Sequence, residues 1–153
     1  MNIDSISQHI HAAPEVVYRA FVEPDALLAW LPPAGMTGVL EAFEAGIGGG
    51  YRIRLSYIEQ NGRFRGKTTE TSDVVQVAFV ALEPARRIVE AVTFVSDDPA
   101  FAGEMRITIT FDATAGGTRV TMAFSNLPKG LRVEDNAEGA RISLAQLARY
   151  LER

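Results

Sequence analysis

Between Thr37 and Phe124 the chain never settles into a helical period, and this constrains its fold more than any other feature. Short segments with an apolar side chain at every second residue follow one another, separated by Gly, Pro, Asn and Asp. That period marks strands with one buried face. Tyr51, Ile53, Leu55 and Tyr57 alternate with Arg52, Arg54 and Ser56, and Met105, Ile107, Ile109 and Phe111 alternate with Glu104, Arg106, Thr108 and Thr110. Val120, Met122 and Phe124 continue the second row. Val39 to Glu44 has only a weak dominant face. Val74 to Leu82 is apolar on both rows, as in a strand covered on both sides or lying at a cavity rim, and Ile88 to Val95 forms a further strand. Because no helix separates these segments, a meander of hairpin-linked strands has to be antiparallel.

Helical signals flank the meander. Ile3 to Ile10 reads as a first strand, after which Ala13-Pro14-Glu15 opens a helix burying Val17, Ala20 and Phe21. Proline is suited to a first helical turn, and an acidic residue there meets the positive end of the dipole. Glu23-Pro24-Asp25 opens a second short helix through Leu27, Leu28, Trp30 and Leu31, which Pro32-Pro33 stops. At the C-terminus a longer helix is predicted from about Asn136, with Asp135 or Asn136 as cap. Its apolar stripe is Ala140, Leu144, Leu147, Ala148 and Leu151. The expected fold is α+β: a curved antiparallel sheet of about seven strands around a long C-terminal helix, with two short helices after the first strand. The 153 residues, 47% of them apolar, suffice for one domain spanning 1–153 with a substantial core.

This order of elements, together with particular residues, resembles the SRPBCC superfamily, also called START-like or helix-grip proteins. More narrowly it is similar to the branch named for the activator of heat-shock-protein-90 ATPase homologue. The residues that carry the likeness are Ala13-Pro14 with Val16-Val17-Tyr18-Arg19-Ala20-Phe21, Ala29-Trp30-Leu31-Pro32-Pro33, Gly49-Gly50-Tyr51-Arg52 and Pro84-Ala85-Arg86-Arg87-Ile88-Val89. Gly117-Thr118-Arg119-Val120-Thr121 and Leu144-Ala145-Gln146-Leu147-Ala148-Arg149-Tyr150-Leu151 complete the set. One position departs from it: Gly139-Ala140 stands where the family usually has Gly-Trp, and the missing indole predicts either a gap near the cavity or its filling by a neighbouring side chain. The resemblance implies a cavity between sheet and final helix that holds a hydrophobic or amphipathic small molecule. Lipid carriers, hormone receptors, aromatic cyclases and chaperone partners all share this fold, so it does not fix the function.

Fifteen Lys and Arg against nineteen Asp and Glu give a net charge of −4, which argues against a nucleic-acid partner. There is no cysteine for disulfides or thiolate chemistry, and the two histidines, His9 and His11, are expected to be a solvated pair at a strand end, so no metal and no cofactor is expected. No apolar run approaches the ~18 residues of a membrane span, and the first ten residues lack a signal-peptide pattern, so a cytoplasmic protein is expected. Gly46 to Gly50 joins two strands and reads as a turn, because a phosphate cradle leads from a strand into a helix. Asn61-Gly62 reads as a turn and Arg63-Phe64-Arg65-Gly66-Lys67 as a solvated hairpin, with contact to a partner protein as the alternative. No serine lies in a nucleophile-elbow context, and no catalytic residue is assigned.

Asp73, Glu90 and Glu104 lie on or beside strands. Any of them turned into an apolar interior would titrate higher and could act as acid or base, although carboxylates face solvent by default. The residues expected to line the cavity are Trp30, Phe43, Tyr51, Ile53, Leu55, Tyr57, Phe79, Met105, Ile107, Ile109, Met122, Phe124, Leu144, Leu147 and Leu151. Trp30 is either a gate or a plug beneath the short helices. The expected partner is a hydrophobic small molecule, and the chain is a monomer or homodimer. Two alternatives stand beside this: an enzyme of cyclase, dehydratase or hydrolase type using a cavity carboxylate or tyrosine, and a regulator of a chaperone ATPase acting by protein contact.

Overall fold

Two proline-started helices interrupt the strands only once, near the N-terminus. The computed structural model of the protein describes residues 4–58 and 72–153. In chain order these form β1 (Ser5–Ile10), α1 (Pro14–Val22), α2 (Pro24–Trp30), β2 (Met36–Glu44), β3 (Gly50–Tyr57), β4 (Ser72–Glu83), β5 (Arg87–Phe94), β6 (Met105–Thr114), β7 (Gly117–Ser125) and α3 (Val133–Glu152). A 3-10 turn at Pro99–Phe101 precedes β6; there Asp98 accepts a hydrogen bond from the Ala100 N–H. The strands form one seven-stranded sheet, ordered β1-β7-β6-β5-β4-β3-β2, and every pair is antiparallel. The Asn61-Gly62 turn and the basic hairpin at 63–67 lie outside the described residues.

Two β-bulges account for the strands whose pattern is ambiguous. Register shifts between Leu40 and Ala42 in β2, so Leu40 and Phe43 both pack on the core although they are three residues apart. The shift between Phe79 and Ala81 does the same for Phe79 and Leu82 in β4, while Val80 is turned outward. An extra residue in one strand reverses its parity at that point, which a strict period of two cannot represent. Ser72, Asp73 and Val74 are buried in succession, but from Gln76 to Val80 buried and exposed residues alternate, so the doubly apolar stretch from Val74 to Leu82 is covered mainly on one face rather than on both.

The C-terminal helix begins earlier than its sequence pattern suggests. Its cap is Arg132, in extended conformation and without a side-chain cap bond, rather than Asp135 or Asn136. The Asn136 N–H already bonds the Arg132 carbonyl. Glu134 and Asp135 therefore lie inside the first turn, where the dipole favours acidic groups as it does at a cap.

Helix α3 is fixed at one side of the sheet. Its backbone runs close to β1 and α2 and makes no comparable approach to β3, β4, β5 or β6. Ser143 Oγ donates to the Leu31 carbonyl at 2.9 Å, and Gln146 Nε2 donates to the carbonyls of Trp30 and Pro32 at 2.6 and 2.8 Å. The small residues Ala137, Ala140 and Ala148 are buried, as are Leu144 and Leu147. Tyr18 and Phe21 of α1 stack edge-on against Phe111. At the other end Gly38 lets β2 pass beneath Pro32, because a Cβ there would lie 2.7 Å from the proline ring.

Candidate functional site

Register and parity together place the side chains on the inner face of the sheet in rows. One row runs Ile6, Met122, Ile109, Ile88, Leu82; the next runs Phe124, Ile107, Glu90, Phe79. A third runs Met105, Val92, Val77, Tyr51, Phe43, and a fourth Phe94, Val75, Ile53. Glu90 therefore has Ile88 and Val92 along its own strand and Phe79 and Ile107 across from it. It is the one charged residue within these four rows, and it is 4% exposed.

That setting decides its chemistry. Burial pushes the Glu90 carboxyl up to about 7, because the charged form loses its water without gaining a counter-charge. The Tyr51 hydroxyl is raised well above its ordinary value, first by burial and then by the negative charge of Glu90. Among the described residues neither side chain has a hydrogen-bond partner, yet no side-chain N or O there is both fully enclosed and unpaired. The Glu90 carboxylate and the Tyr51 hydroxyl therefore each keep a small accessible surface. Exposure among the neighbours of Glu90 is uneven: Ile107 retains 8% and Val92 3%, whereas Phe79 retains 1% and Ile88 none.

Three aromatic rings frame the same corner. Phe43 and Tyr51 stack with centroids 6.3 Å apart, and Phe79 meets them edge-on at 6.3 and 6.0 Å. The Gly46–Gly50 segment is a β2–β3 turn with left-handed Gly46 and Gly48. It is laced to β4 by Gly48 N–H to Phe79 O and Phe79 N–H to Gly49 O, which holds Tyr51 beside Phe79.

The residues expected to line the interior fall into groups. Phe43, Tyr51, Ile53, Phe79, Met105, Ile107, Ile109, Met122 and Phe124 all stand in the inner rows. Leu55 and Leu151 are half-buried against the core, and Leu144 and Leu147 are fully buried on α3. Trp30 sits between the helices, its indole N–H donating to the Ala20 carbonyl at 2.8 Å and its ring edge-on to Phe21. Tyr57 is half-buried at the end of β3, its hydroxyl raised by burial and then by Asp73.

The other candidate chemistry resolves differently. Asp73 is buried, while Glu104 is exposed and paired with Arg106. Arg52 and Arg54 both bind Glu41, at 2.9 and 3.0 Å, on the outer face. His9 Nε2 pairs with Thr114 Oγ1 at 2.8 Å, and its ring meets that of His11 edge-on. Glu90 is the residue that sequence reasoning weighed but did not select. The signal for it was the row Ile88, Glu90, Val92, Phe94, which is bulkier than Val89, Ala91, Thr93 and so faces inward.

A curled antiparallel sheet of seven strands closed by a C-terminal helix defines the helix-grip class of the SRPBCC superfamily. Within it, the model of the family described as activator of Hsp90 ATPase homolog 1-like protein matches residues 11–152, and the chain belongs to that family. A Chromobacterium violaceum protein of known crystal structure is 30% identical with a TM-score of 0.82, over 97% of this chain and 98% of that one. An AHSA1 protein from Silicibacter pomeroyi has the same fold at 17% identity, with a TM-score of 0.77 over 97% of this chain and 96% of its own. A Rhodobacter sphaeroides protein has it at 20% identity, TM-score 0.75, over 97% and 90% respectively. No curated protein matches the chain. Among the described residues no helix is long and apolar enough to cross a membrane.

Proposed function

We propose that the protein binds a hydrophobic or amphipathic small molecule between the inner face of the sheet and α3. The family's fold commonly binds hydrophobic ligands, and one observation supports the reading most: a buried carboxylate without a protein partner among the described residues, on an otherwise apolar inner face of the sheet. In a solid core such a group costs several kcal/mol with no return, whereas a guest that bonds it recovers part of that cost. The proposed lining is the inner-row set around Tyr51, Phe79, Glu90 and Ile107.

Native mass spectrometry of the protein as purified tests this. The expected spectrum shows a species heavier than the 16.6 kDa chain, with the excess lost on denaturation and recovered in an organic extract. A bare chain mass, together with no uptake of a hydrophobic dye, overturns the reading.

A second reading has its own support. A carboxyl titrating at about 7 is half-ionised at neutral pH and suits general acid–base catalysis, with the neutral Tyr51 hydroxyl as a donor beside it. The two readings diverge at Glu90→Gln: an acid–base enzyme loses turnover of the extracted compound, whereas a carrier keeps the compound unchanged throughout. The family's name points to a third kind of partner, a chaperone ATPase.

A further inference from the structure

The four side chains at the inner corner specify more than an apolar guest. Resting on the binding reading above, we infer that the corner formed by Phe43, Tyr51, Phe79 and Glu90 receives the protonated amine of an amphipathic guest. Three rings with centroids 6.0 to 6.3 Å apart form one cluster, in which Phe79 is the cross-strand partner of the buried Glu90 and Tyr51 feels its charge. Aromatic faces attract cations through the ring quadrupole, and they do so most strongly when the cation leaves water. A carboxylate in the same desolvated space adds a full opposite charge. Phe43 is half-buried while Glu90 is 4% exposed, so the cluster runs from the edge strand toward the depth of the sheet, where the head of the guest would meet the acid.

No cation of the protein competes for that place among the described residues. Glu90 is faced by Phe79 of β4, Ile107 of β6 and, through its charge, Tyr51 of β3, which is the one titratable group near it. The buried side chains of α3 are alanines, leucines and Ser143. The arginines of the neighbouring strands pair with outer carboxylates: Arg52 and Arg54 with Glu41, Arg87 with Glu83, Arg106 with Glu104. An anionic head in this corner meets like charge, and an alcohol gains a hydrogen bond without the Coulomb attraction.

Calorimetric titration of the delipidated protein with octylamine, octanol and octanoate separates these cases. Octylamine stays protonated between about pH 6 and about pH 8, as a lysine side chain does. At about pH 8 it is expected to bind at least roughly tenfold more tightly than octanol, with octanoate weakest. Its affinity should fall by up to about tenfold per pH unit as Glu90 takes up its proton, because the ammonium must displace that proton. Glu90→Gln is expected to bring octylamine to the level of octanol and to abolish the pH dependence, and the wild-type pH series reads the same property without any variant. Octanol or octanoate binding as tightly as octylamine, or an amine affinity independent of pH, overturns the amine assignment and leaves the binding reading standing. If none of the three binds, both fall.

Discussion

Glu90 enters the folded state between Ile88 and Val92 with Phe79 and Ile107 across from it, and folding strips its carboxyl of water without a partner. The folded protein therefore holds this proton up to about pH 7, whereas the unfolded chain releases it near 4.5. Between those values unfolding releases a proton, so the contribution to stability is full at the acid end. It declines by up to about 1.4 kcal/mol per pH unit and is gone above the folded value. The whole span amounts to on the order of 3 kcal/mol. Other carboxylates impose slopes of their own, so the comparison that isolates this one is wild type against Glu90→Gln in guanidinium unfolding. The two are expected to have similar stability near about pH 5, with the variant more stable by about 1–3 kcal/mol near about pH 8. Parallel pH curves would show the carboxyl to be solvated. The sequence left Glu90 among three carboxylates that face solvent by default, because its burial depends on which residues the neighbouring strands bring opposite it.

At the scale of elements, what holds α3 is polar as much as apolar. Gln146 donates to the last carbonyls of α2 and its Pro-Pro stop, at Trp30 and Pro32, and Ser143 to Leu31 between them. Helix ends leave carbonyls without intrahelical partners, so these side chains finish α2 while anchoring α3. Gln146→Ala is expected to lower stability by about 1–3 kcal/mol in denaturant melts, because two carbonyls then lose their donor. A change below about 0.5 kcal/mol would mean that water replaces the amide without loss. The order of elements and the apolar stripe of α3 could be read from the sequence because each rests on local periodicity. The bulges at Leu40/Ala42 and Phe79/Ala81 and the earlier start at Val133 could not. A bulge is defined against a partner strand, and a helix capped by extended backbone at Arg132 carries no side-chain signal of where it begins.

Across the whole molecule the interior divides into two parts. Near α1, α2 and β1 the packing is closed: Ile10, Val17, Leu144 and Leu147 have no exposure, and Trp30 and Leu27 have 1%. Around Glu90 the wall is mixed, with Ile88 and Phe79 closed while Ile107 and Phe124 keep 8% exposure, and it is there that the proposed guest space lies. A fold built this way should respond asymmetrically to changes in side-chain volume. Leu147→Ala removes a side chain from the closed part and is expected to cost about 2–5 kcal/mol, since little can collapse into the space. Ile107→Phe adds volume beside Glu90 and is expected to cost less than about 1 kcal/mol, because the ring enters space already present, while weakening the uptake of a hydrophobic guest. In a uniformly packed core the same insertion strains its neighbours by about 1–3 kcal/mol. Equilibrium unfolding of the two variants, with guest titration of the second, therefore measures whether the space between sheet and helix exists. A large loss of stability in Ile107→Phe would remove the site together with the function proposed for it.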